Sequence, residues 1–382
     1  MIILASMALP PHTTSASHAH LTNTPSMTDK NPPRRPTMTD IATRAGVSQS
    51  TVSLVLNHMS GAKVSNKTRD NVLKIATELG YPVIAWRRGD TSPRERDLIV
   101  YLVDEISTSP HPPLSIDGAK DLSWEHGCLV SVFATRSNAE MEAAVLQRML
   151  DNPALLGVIY STIFTRAVEV PKLLHNVPTV LLNCYSDDRA FSSVVPGDVT
   201  GGHTATQHLI DAGHRRIAYI NGEPWMDAAR DRLKGYRQAL TTADIPFEQA
   251  LVRDGDWMFG TGFAHATSLL TAPHPPTAIY CASDLMALGA IEAAQRLGLR
   301  VPGDLAVIGY DDQEIARYTQ PALSTVLLPN YEMGRWAAET LIEQARAPLP
   351  AGVGSVPVTR RTAIKMHCPL VERDSVGAPK AA

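Results

Sequence analysis

The sequence predicts a small α-helical head followed by a two-part α/β body with parallel sheets. Helical periodicity and helix caps dominate residues 36–82, whereas short β-branched runs alternate with helical stretches from Leu98 to Tyr310. The length of 382 residues exceeds one ordinary domain, and the hydrophobic content of 44% is enough to fill more than one core. Two or three domains are therefore expected.

The head begins with two short helices joined by a tight corner. Thr37 and Asp40 have the spacing of a capping box, and Gly46 supplies the permissive backbone that the corner requires. Ser48 is a suitable N-cap for the second helix, and Ser65 is one for a third helix. The apolar residues that can close a common core are Ile41, Ala42, Ala45, Val47, Val52, Val55, Leu56, Val72, Leu73, Ile75, Ala76 and Leu79.

The second helix leaves one face polar, and its hydroxyl and amide groups can exchange hydrogen bonds with base edges or phosphates. A helix-turn-helix with the second helix in the DNA major groove explains this face. An ordinary surface helix pair would look similar, but the third helix favours the DNA-binding interpretation. Arg44 and Lys63 are additional candidates for phosphate contacts. The predicted DNA-binding residues are Thr39, Ser48, Gln49, Ser50, Thr51, Ser53, Leu54, Asn57, Lys67 and Arg69.

Charge is distributed unevenly along the chain. Residues 36–89 carry seven basic and three acidic side chains, a net charge of +4, and residues 1–35 add +2. Because the whole chain has a net charge of −3, residues 90–382 carry −9. A basic head on an acidic body fits a nucleic-acid reader joined to a region that does not touch DNA.

Residues 1–35 are rich in Pro, Ser, Thr and His and are expected to be a disordered tail. A metal site among their histidines is a weaker interpretation than a solvated tail. The four cysteines are widely spaced, without a zinc pattern, which suits a reducing cytoplasm. No apolar run reaches membrane-spanning length. We expect a cytoplasmic protein without a cofactor or metal.

In the body, strand-like runs alternate with helical stretches, as in right-handed β-α-β units with parallel strands. The predicted strands are Leu98–Asp104, Leu129–Thr135, Leu156–Ser161, Val180–Cys184, Ile217–Asn221, Ala278–Ala282 and Leu305–Tyr310. The predicted helices lie near 116–126, 138–151, 166–175, 201–212, 228–242, 260–271 and 284–297.

The head resembles that of the LacI/GalR-type family of bacterial transcription regulators, and the resemblance continues over nearly all of the remaining chain. The residues that carry it are Asp40-Ile-Ala, Ala45-Gly-Val-Ser48, Thr51-Val-Ser53, Val55-Leu-Asn57, Val64-Ser65, Thr68-Arg69 and Leu79-Gly-Tyr81. The resemblance implies a dimeric regulator that binds operator DNA and a small effector, and the family's commonest mode implies that it is a repressor. It places a helix-turn-helix domain at 36–82, a hinge at 83–96 and an effector-binding and dimerisation domain at 97–382. The two subdomains are expected at roughly 97–197 with 329–348, and 198–328 with 349–370.

The hinge departs from the family pattern. Val83 stands where Asn is expected, and Gly89 stands where the intercalating Leu would be. Trp86 is a possible substitute wedge, or it packs against the body. Leu54 replaces an Arg found in many relatives, and its methyl groups can pack on a thymine methyl but cannot donate to guanine. A less guanine-dependent operator is expected.

Six residues are predicted to bind the effector. A carboxylate at the end of a strand can accept sugar hydroxyls, an Arg fork can donate to vicinal hydroxyls, and a Trp can cover pyranose C–H groups. By the resemblance, these residues are Asp104, Asn183, Arg232, Trp257, Asp311 and Tyr331. A sugar is the expected ligand, and a purine or nucleoside is the alternative, because aromatic side chains would stack on either.

Structural roles compete with these assignments. Asp311 can be only a helix cap, Arg232 can pair with Asp227 or Asp231 on its own helix, and Trp257 can be core packing. Trp225 is a second possible stacking surface, or it packs in a surface loop. Asp284 is expected to cap the helix that follows it. That helix, 284–297, is expected at the dimer interface or in the core.

Two other classes of function remain as alternatives. An enzyme would need a recognisable site, but the chain has no GxxxxGK[ST] loop, no GxGxxG after a strand and no GxSxG elbow. A solute-binding protein for transport shares the cleft architecture but would not need a DNA-reading head.

Overall fold

The structure is a computed structural model that describes residues 38–56, 64–79, 97–347 and 361–380. The chain divides into two compact units, of which the first ends at Gly89 and the second begins at Asp90. The expected tail at 1–35 and hinge at 83–96 lie outside the described residues, as do Asn57 and Lys63.

The first unit is a three-helix head. Its helices are α1 (Met38–Ala45), α2 (Gln49–Leu56) and α3 (Asn66–Glu78). They enclose one core of buried residues, namely Ile41, Ala42, Val52, Val55, Val72, Ile75 and Ala76. The predicted core and helix order are therefore confirmed.

Local hydrogen bonds set the corner between α1 and α2. Gly46 has a φ of +66°, in the left-handed region that favours glycine. The Val47 amide donates to the Ala42 carbonyl at 3.1 Å and closes the corner. Ser48 Oγ accepts from the Thr51 amide, and Ser65 Oγ accepts from the Thr68 amide, each at 3.1 Å. Both predicted serine caps are confirmed.

The second unit, the body, alternates strands and helices. Its strands are β1 (Asp97–Val103), β2 (Cys128–Ala134), β3 (Leu155–Ala167), β4 (Thr179–Tyr185), β5 (Ser192–Pro196), β6 (Ile217–Asn221), β7 (Val252–Asp254), β8 (Ala278–Cys281), β9 (Ala306–Ile308), β10 (Thr325–Val326), β11 (Ala363–Met366) and β12 (Leu370–Val371). Its helices are α4 (His111–Glu125), α5 (Ala139–Leu150), α6 (Asp198–Asp211), α7 (Asp227–Thr242), α8 (Phe259–Leu270), α9 (Asp284–Arg296) and α10 (Asn330–Arg346).

The body has two lobes, each built on a parallel sheet. The first lobe has the strand order β11-β5-β4-β3-β1-β2, and α4 and α10 pack together on it. The second lobe has the order β7-β6-β8-β9 and contains α6 to α9. Every strand pair within these two sheets is parallel, as predicted. In such sheets, ligands bind outside the carboxyl ends of the strands.

Alternation along β1 shows why the first sheet is covered on both faces. Tyr101 and Val103 belong to the core shared with α4 and α10, whereas Val100 and Leu102 pack in a separate cluster with Leu146 of α5. Successive side chains of a strand point to opposite faces, so an uninterrupted apolar run requires cover on both sides.

Two predictions about the body are wrong. The expected helix at 166–175 is absent: β3 continues to Ala167, and only a 3₁₀ turn, Lys172–Asn176, follows. The β-branched Val168 and Val170 and the ring of Pro171 disfavour an α-helix in this stretch. The segment 349–370 is predicted to lie in the second lobe, but within its described part β11 pairs with β5 at the edge of the first sheet, and only Cys368 and Leu370 pack in the second-lobe core.

Helix α9 is a core helix. Eight of its 13 residues are buried, including Met286 and Ala290. It lies so close to α8 that a Cβ atom added to Gly262 would come within 2.3 Å of the Met286 carbonyl oxygen. The expected core role is confirmed, and a role in a dimer interface stays a prediction.

Candidate functional site

The polar face of α2 is accessible where the structure describes its side chains. Ser48 and Gln49 are exposed, Thr51 is half-buried, and on α3 Lys67 is exposed and Arg69 half-buried. The side chains of Thr39, Ser50, Ser53 and Leu54 lie outside the described part of the head. The described side chains thus leave this face open to a partner.

Arg44, a candidate phosphate contact, lies 3.6 Å from the Glu78 carboxylate, measured from Nη2 to Oε2. Both side chains are largely exposed, so the pair is screened by water and is easily exchanged for another anion.

In the second lobe of the body, two predicted effector-binding residues, Asp311 and Trp257, meet around a third, Arg232, which is 4% exposed. Its Nε donates to Asp198 Oδ1 at 2.8 Å, and its Nη1 donates to Asp311 Oδ1 at 3.5 Å and to the Ala282 carbonyl. Its guanidinium carbon also lies 5.5 Å from the ring centroid of Trp257. The alternative pairing with acidic neighbours on α7 is wrong, since Asp227 binds Arg230 and Asp231 binds Lys365.

One guanidinium faces two carboxylates in this cluster. Burial opposes the charge on Arg232, but the carboxylate of Asp198 and its other neighbours outweigh burial and hold its pKa well above the usual value. Burial raises the pKa of Asp311, and His111 and Arg232 oppose that rise.

Of the eight non-glycine residues with a positive φ in the described part of the chain, four lie at or directly beside predicted site residues. Asn183, Trp257 and Asp311 have φ values of 59°, 70° and 112°, and Asp312, which follows Asp311, has 50°. Non-glycine residues rarely adopt such angles, and strained positions cluster at ligand-binding sites. A helix cap alone does not explain this conformation at Asp311.

The indole of Trp257 lies flat against a glycine. A Cβ atom added to Gly222 would come within 2.0 Å of the ring, so this approach requires glycine. The indole Nε1 is buried and has no hydrogen-bond partner among the described residues. Buried donors are nearly always paired in folded proteins, so this unpaired N–H beside Arg232 is a candidate donor to a ligand.

In the first lobe, Asp104 and Asn183 are already engaged. Asp104 Oδ1 accepts from the Ile163 amide at 2.8 Å, and Oδ2 accepts from Arg166 Nη2 at 2.9 Å. Asn183 Nδ2 donates to the Thr162 carbonyl at 3.0 Å, and Oδ1 accepts from Thr165 Oγ1 at 2.7 Å. These bonds hold residues 162–165, which form a bulge of β3.

Tyr331 is placed differently from the other five predicted residues. Its hydroxyl donates to Asp121 Oδ2 on α4 at 2.8 Å. Hydrogen bonds among the described residues do not connect it to any of the other five. Its neighbour Asn330 lies closer to them, since Asn330 Nδ2 is 3.3 Å from Nδ1 of His111.

His111 and Asp198 are parts of the site that sequence reasoning missed. His111 opens α4 in the first lobe, and its Nε2 lies 3.8 Å from Asp311 Oδ2 in the second lobe. Burial lowers the pKa of His111, and the Asp311 carboxylate acts in the opposite direction. Neither residue follows a predicted strand directly, so only the tertiary fold reveals its position.

Asp284 supports the strained turn but does not cap α9. The cap is Ser283, whose Oγ accepts from the Met286 amide at 3.2 Å. Asp284 instead accepts from the Gln313 amide at 2.7 Å and from Thr325 Oγ1 at 2.6 Å. The prediction for Asp284 is therefore wrong, because a serine one position earlier has the extended backbone of an N-cap.

A cavity of about 590 Å³ lies between the two lobes. Its walls include the hydroxyls of Thr165, Tyr185 and Ser193 and the carboxylates of Asp198 and Asp227. The six predicted residues do not line this cavity themselves. Thr165 and Asp198 do, and they contact Asn183 and Arg232 directly, so these two predicted residues lie immediately behind the wall.

The fold and the site together define a DNA-binding protein with a ligand cleft: a three-helix head with an open polar helix, and a two-lobed body with a polar cavity. A family model described as bacterial regulatory proteins, lacI family, matches residues 37–82, and one described as a periplasmic binding protein-like domain matches 206–376.

Relatives and solved structures agree with these matches. The ribose operon repressor of Haemophilus influenzae is 35% identical over 315 residues, which cover 82% of this chain and 92% of that protein. In the structure of a transcriptional regulator CelR–cellobiose complex, the protein chain is 30% identical to this one, with a TM-score of 0.61. The match covers 89% of this chain and 100% of the CelR chain. The structure of the lac repressor dimer bound to operator and the anti-inducer ONPF is 27% identical in sequence, with a TM-score of 0.61. The match covers 90% of this chain and 100% of the lac repressor chain.

The chain belongs to the LacI family of bacterial regulatory proteins. It is a DNA-binding transcriptional regulator of the effector-responsive kind, and its relatives are named as repressors. Among the described residues, no helix is long and apolar enough to cross a membrane.

Proposed function

We propose that this regulator represses transcription as a homodimer on operator DNA and releases the DNA when a neutral, hydroxyl-rich sugar binds between the lobes of its body. The observation that carries the sugar assignment is the buried Arg232 cluster beside the unpaired Trp257 Nε1. It combines fixed donors, fixed acceptors and a flat apolar ring in one place.

The balance of charge favours a neutral ligand. Arg232 is shared between the carboxylates of Asp198 and Asp311, so the cluster carries no surplus positive charge for an anion. Hydroxyl groups can accept from a guanidinium and donate to a carboxylate at the same time, whereas a hydrocarbon can do neither. A ribose operon repressor and a cellobiose complex among the similar proteins support the same class of ligand.

Ligand screening tests this assignment. Purified full-length protein is examined by thermal shift against monosaccharides, disaccharides and nucleosides. Stabilisation by at least one sugar, of several degrees at saturating concentration, is expected, together with its loss in Trp257→Ala. Stabilisation by nucleosides alone would reject the sugar assignment.

For DNA reading, we assign base contacts to Gln49 and Ser50, with Ser53, Leu54 and Asn57 as further candidates. Ser48, Thr51 and Thr39 are placed near phosphates, together with Lys67 and Arg69. The exposed position of Gln49 and the serine cap that orients α2 support this arrangement.

Replacing Leu54 with Arg is expected to increase the preference for guanine at one base pair of the operator. Binding-site selection measures this preference, and an unchanged base preference would contradict the prediction.

A second copy of the chain is the proposed partner of the first lobe. Leu114 on α4 and Leu129 on β2, the edge strand, are 50% and 45% exposed. Two heads must be spaced one helical turn apart to bind a palindrome, which requires a dimer.

Changing Leu129 to Glu is expected to yield monomers in light scattering. The control variant Leu173→Glu, at a residue 47% exposed in the 3₁₀ turn, should remain dimeric.

The link between sugar and DNA is a coupling free energy, typically about 1–3 kcal/mol, and it acts equally in both directions. Operator DNA must therefore weaken sugar binding by the same factor by which the sugar weakens DNA binding. Titrating sugar in the presence and absence of operator measures this factor.

A further inference from the structure

The β3 bulge has an unusual size. Between the pairs Ser161–Leu182 and Arg166–Cys184, β3 advances five residues while β4 advances two. The three extra residues leave the plane of the sheet at the carboxyl ends of the strands, where the two lobes face each other. Bulges next to binding sites commonly redirect a side chain.

Both sides of the bulge are fixed by polar residues of the neighbouring strands. Asp104, just after β1, binds the Ile163 amide, and Asn183 on β4 binds the backbone of Thr162 and the hydroxyl of Thr165. Thr162 Oγ1 also donates to the Asn183 carbonyl at 2.9 Å. With both ends held, the direction of the intervening residue, Phe164, is fixed.

Phe164 reaches the second lobe. Its ring meets that of Trp225 edge to face, with centroids 5.2 Å apart and an angle of 83° between the planes. Trp225 lies in the loop between β6 and α7 and is 56% exposed. An edge-to-face pair adds attraction beyond the area that it buries.

An arginine in each lobe contacts one residue of this pair. The guanidinium of Arg166 lies 5.0 Å from the Phe164 centroid while it binds Asp104. On the other side, Arg230 donates to the Trp225 carbonyl and pairs with Asp227. Asp227 in turn accepts from the hydroxyl of Tyr185, in the first lobe, at 2.7 Å. A second contact between the lobes is thus connected to the first.

We propose that Phe164 and Trp225 form an inter-lobe latch that holds the cleft closed and controls the entry and exit of the effector. The pair lies beside the cavity, because Thr165 follows Phe164 and Arg230 binds Trp225, and both line its wall. Opening the lobes must separate the two rings. The role of the latch in effector exchange rests on the proposed function. Its role in holding the two lobes together does not.

Hydrogen exchange of the ligand-free full chain, followed by mass spectrometry, tests the latch without an effector. Changing Trp225 to Ala is expected to speed exchange about three- to tenfold in the bulge of the opposite lobe, the range expected for loss of one aromatic pair. Changing Phe164 to Ala should speed exchange to a similar extent in the loop at 222–226. The double variant should exceed neither single variant appreciably, because either change alone breaks the contact.

Two control substitutions distinguish an inter-lobe latch from a contribution of either ring to packing within its own lobe. Tyr318→Ala removes another exposed aromatic ring of the second lobe, 71% exposed, and should alter neither segment. Trp225→Phe keeps a ring and should restore most of the protection. If each substitution speeds exchange only in its own lobe, the latch does not exist. This result would leave the proposed sugar site standing, just as failure of every sugar to bind would leave the latch intact.

Discussion

The two walls of the cleft use similar residues in different ways. In the second lobe, Arg232 and Asp311 converge in a buried cluster beside Trp257. In the first lobe, Asp104 and Asn183 bind the chain's own backbone and shape the β3 bulge. Polar residues predicted for one site can therefore either join a buried ion cluster or bind the backbone of their own lobe.

The largest expected effect is at Arg232. Changing Arg232 to Met leaves Asp198 and Asp311 buried without their cation, and the free energy of unfolding of the body should fall by about 3–5 kcal/mol. Denaturant unfolding of the body measures it. The control is Arg230→Met, two residues earlier on α7, whose pair is partly exposed and should contribute at most about 1 kcal/mol. Equal losses in the two variants would show that Arg232 is not the cation of a buried ion cluster.

At Asn183, loss of two hydrogen bonds and the strain of a φ of 59° should both destabilise the body. For Asn183→Ala, we expect a loss of about 2–4 kcal/mol. Asn183→Gly tolerates the left-handed backbone and should recover about 1 kcal/mol of this loss. Comparison of the two unfolding curves separates strain from hydrogen bonding. If alanine is no worse than glycine, the strained conformation is not imposed at this position.

Asp104 should contribute less to stability. Changing Asp104 to Asn keeps the acceptor for the Ile163 amide but removes the charge partner of Arg166, whose side chain is 38% exposed. Because water screens this pair, a loss of about 1 kcal/mol or less is expected in the same unfolding experiment. A loss as large as that of Arg232→Met would show that the first lobe also depends on a buried ion cluster.

The smallest effect concerns pH and His111. Burial holds its pKa below the ordinary value of 6.5, with Asp311, Arg232 and Asp198 as the charged groups that face it. The unfolded chain therefore binds a proton that the folded chain does not, and stability falls as pH drops through about 6.5. His111→Gln should flatten the decline in melting temperature between about pH 8 and about pH 5.5. His214, whose pKa burial also lowers, leaves a residual slope. An unchanged slope would contradict the prediction.

Much of the fold could be predicted because it follows from local patterns. The predicted strand Ile217–Asn221 coincides with β6, and the expected helix 228–242 differs from α7 by one residue. Short strands whose stability depends on a distant partner were not predictable: β11 is defined only by its pairing with β5, about 170 residues earlier in the chain.

The candidate site was predictable in position but not in its contacts. Asp311 and Arg232 could be recognised from their places after a strand and on a helix, but the partner Asp198 lies 34 residues from Arg232 in the chain. The β3 bulge gave no local signal, because Thr162, Ile163 and Phe164 are ordinary strand formers. Their departure from the sheet depends on bonds to Asp104 and Asn183, which only the folded chain brings together.

Operator binding with and without a sugar tests the central claim most directly. Fluorescence anisotropy of the full-length chain is measured with duplex fragments from its own genomic neighbourhood and with any sugar that the thermal-shift screen identifies. The account predicts tight binding that falls steeply with salt, release by the sugar, and a Trp257→Ala variant that binds DNA but no longer responds. Failure to bind any such fragment, with or without sugar, would contradict it.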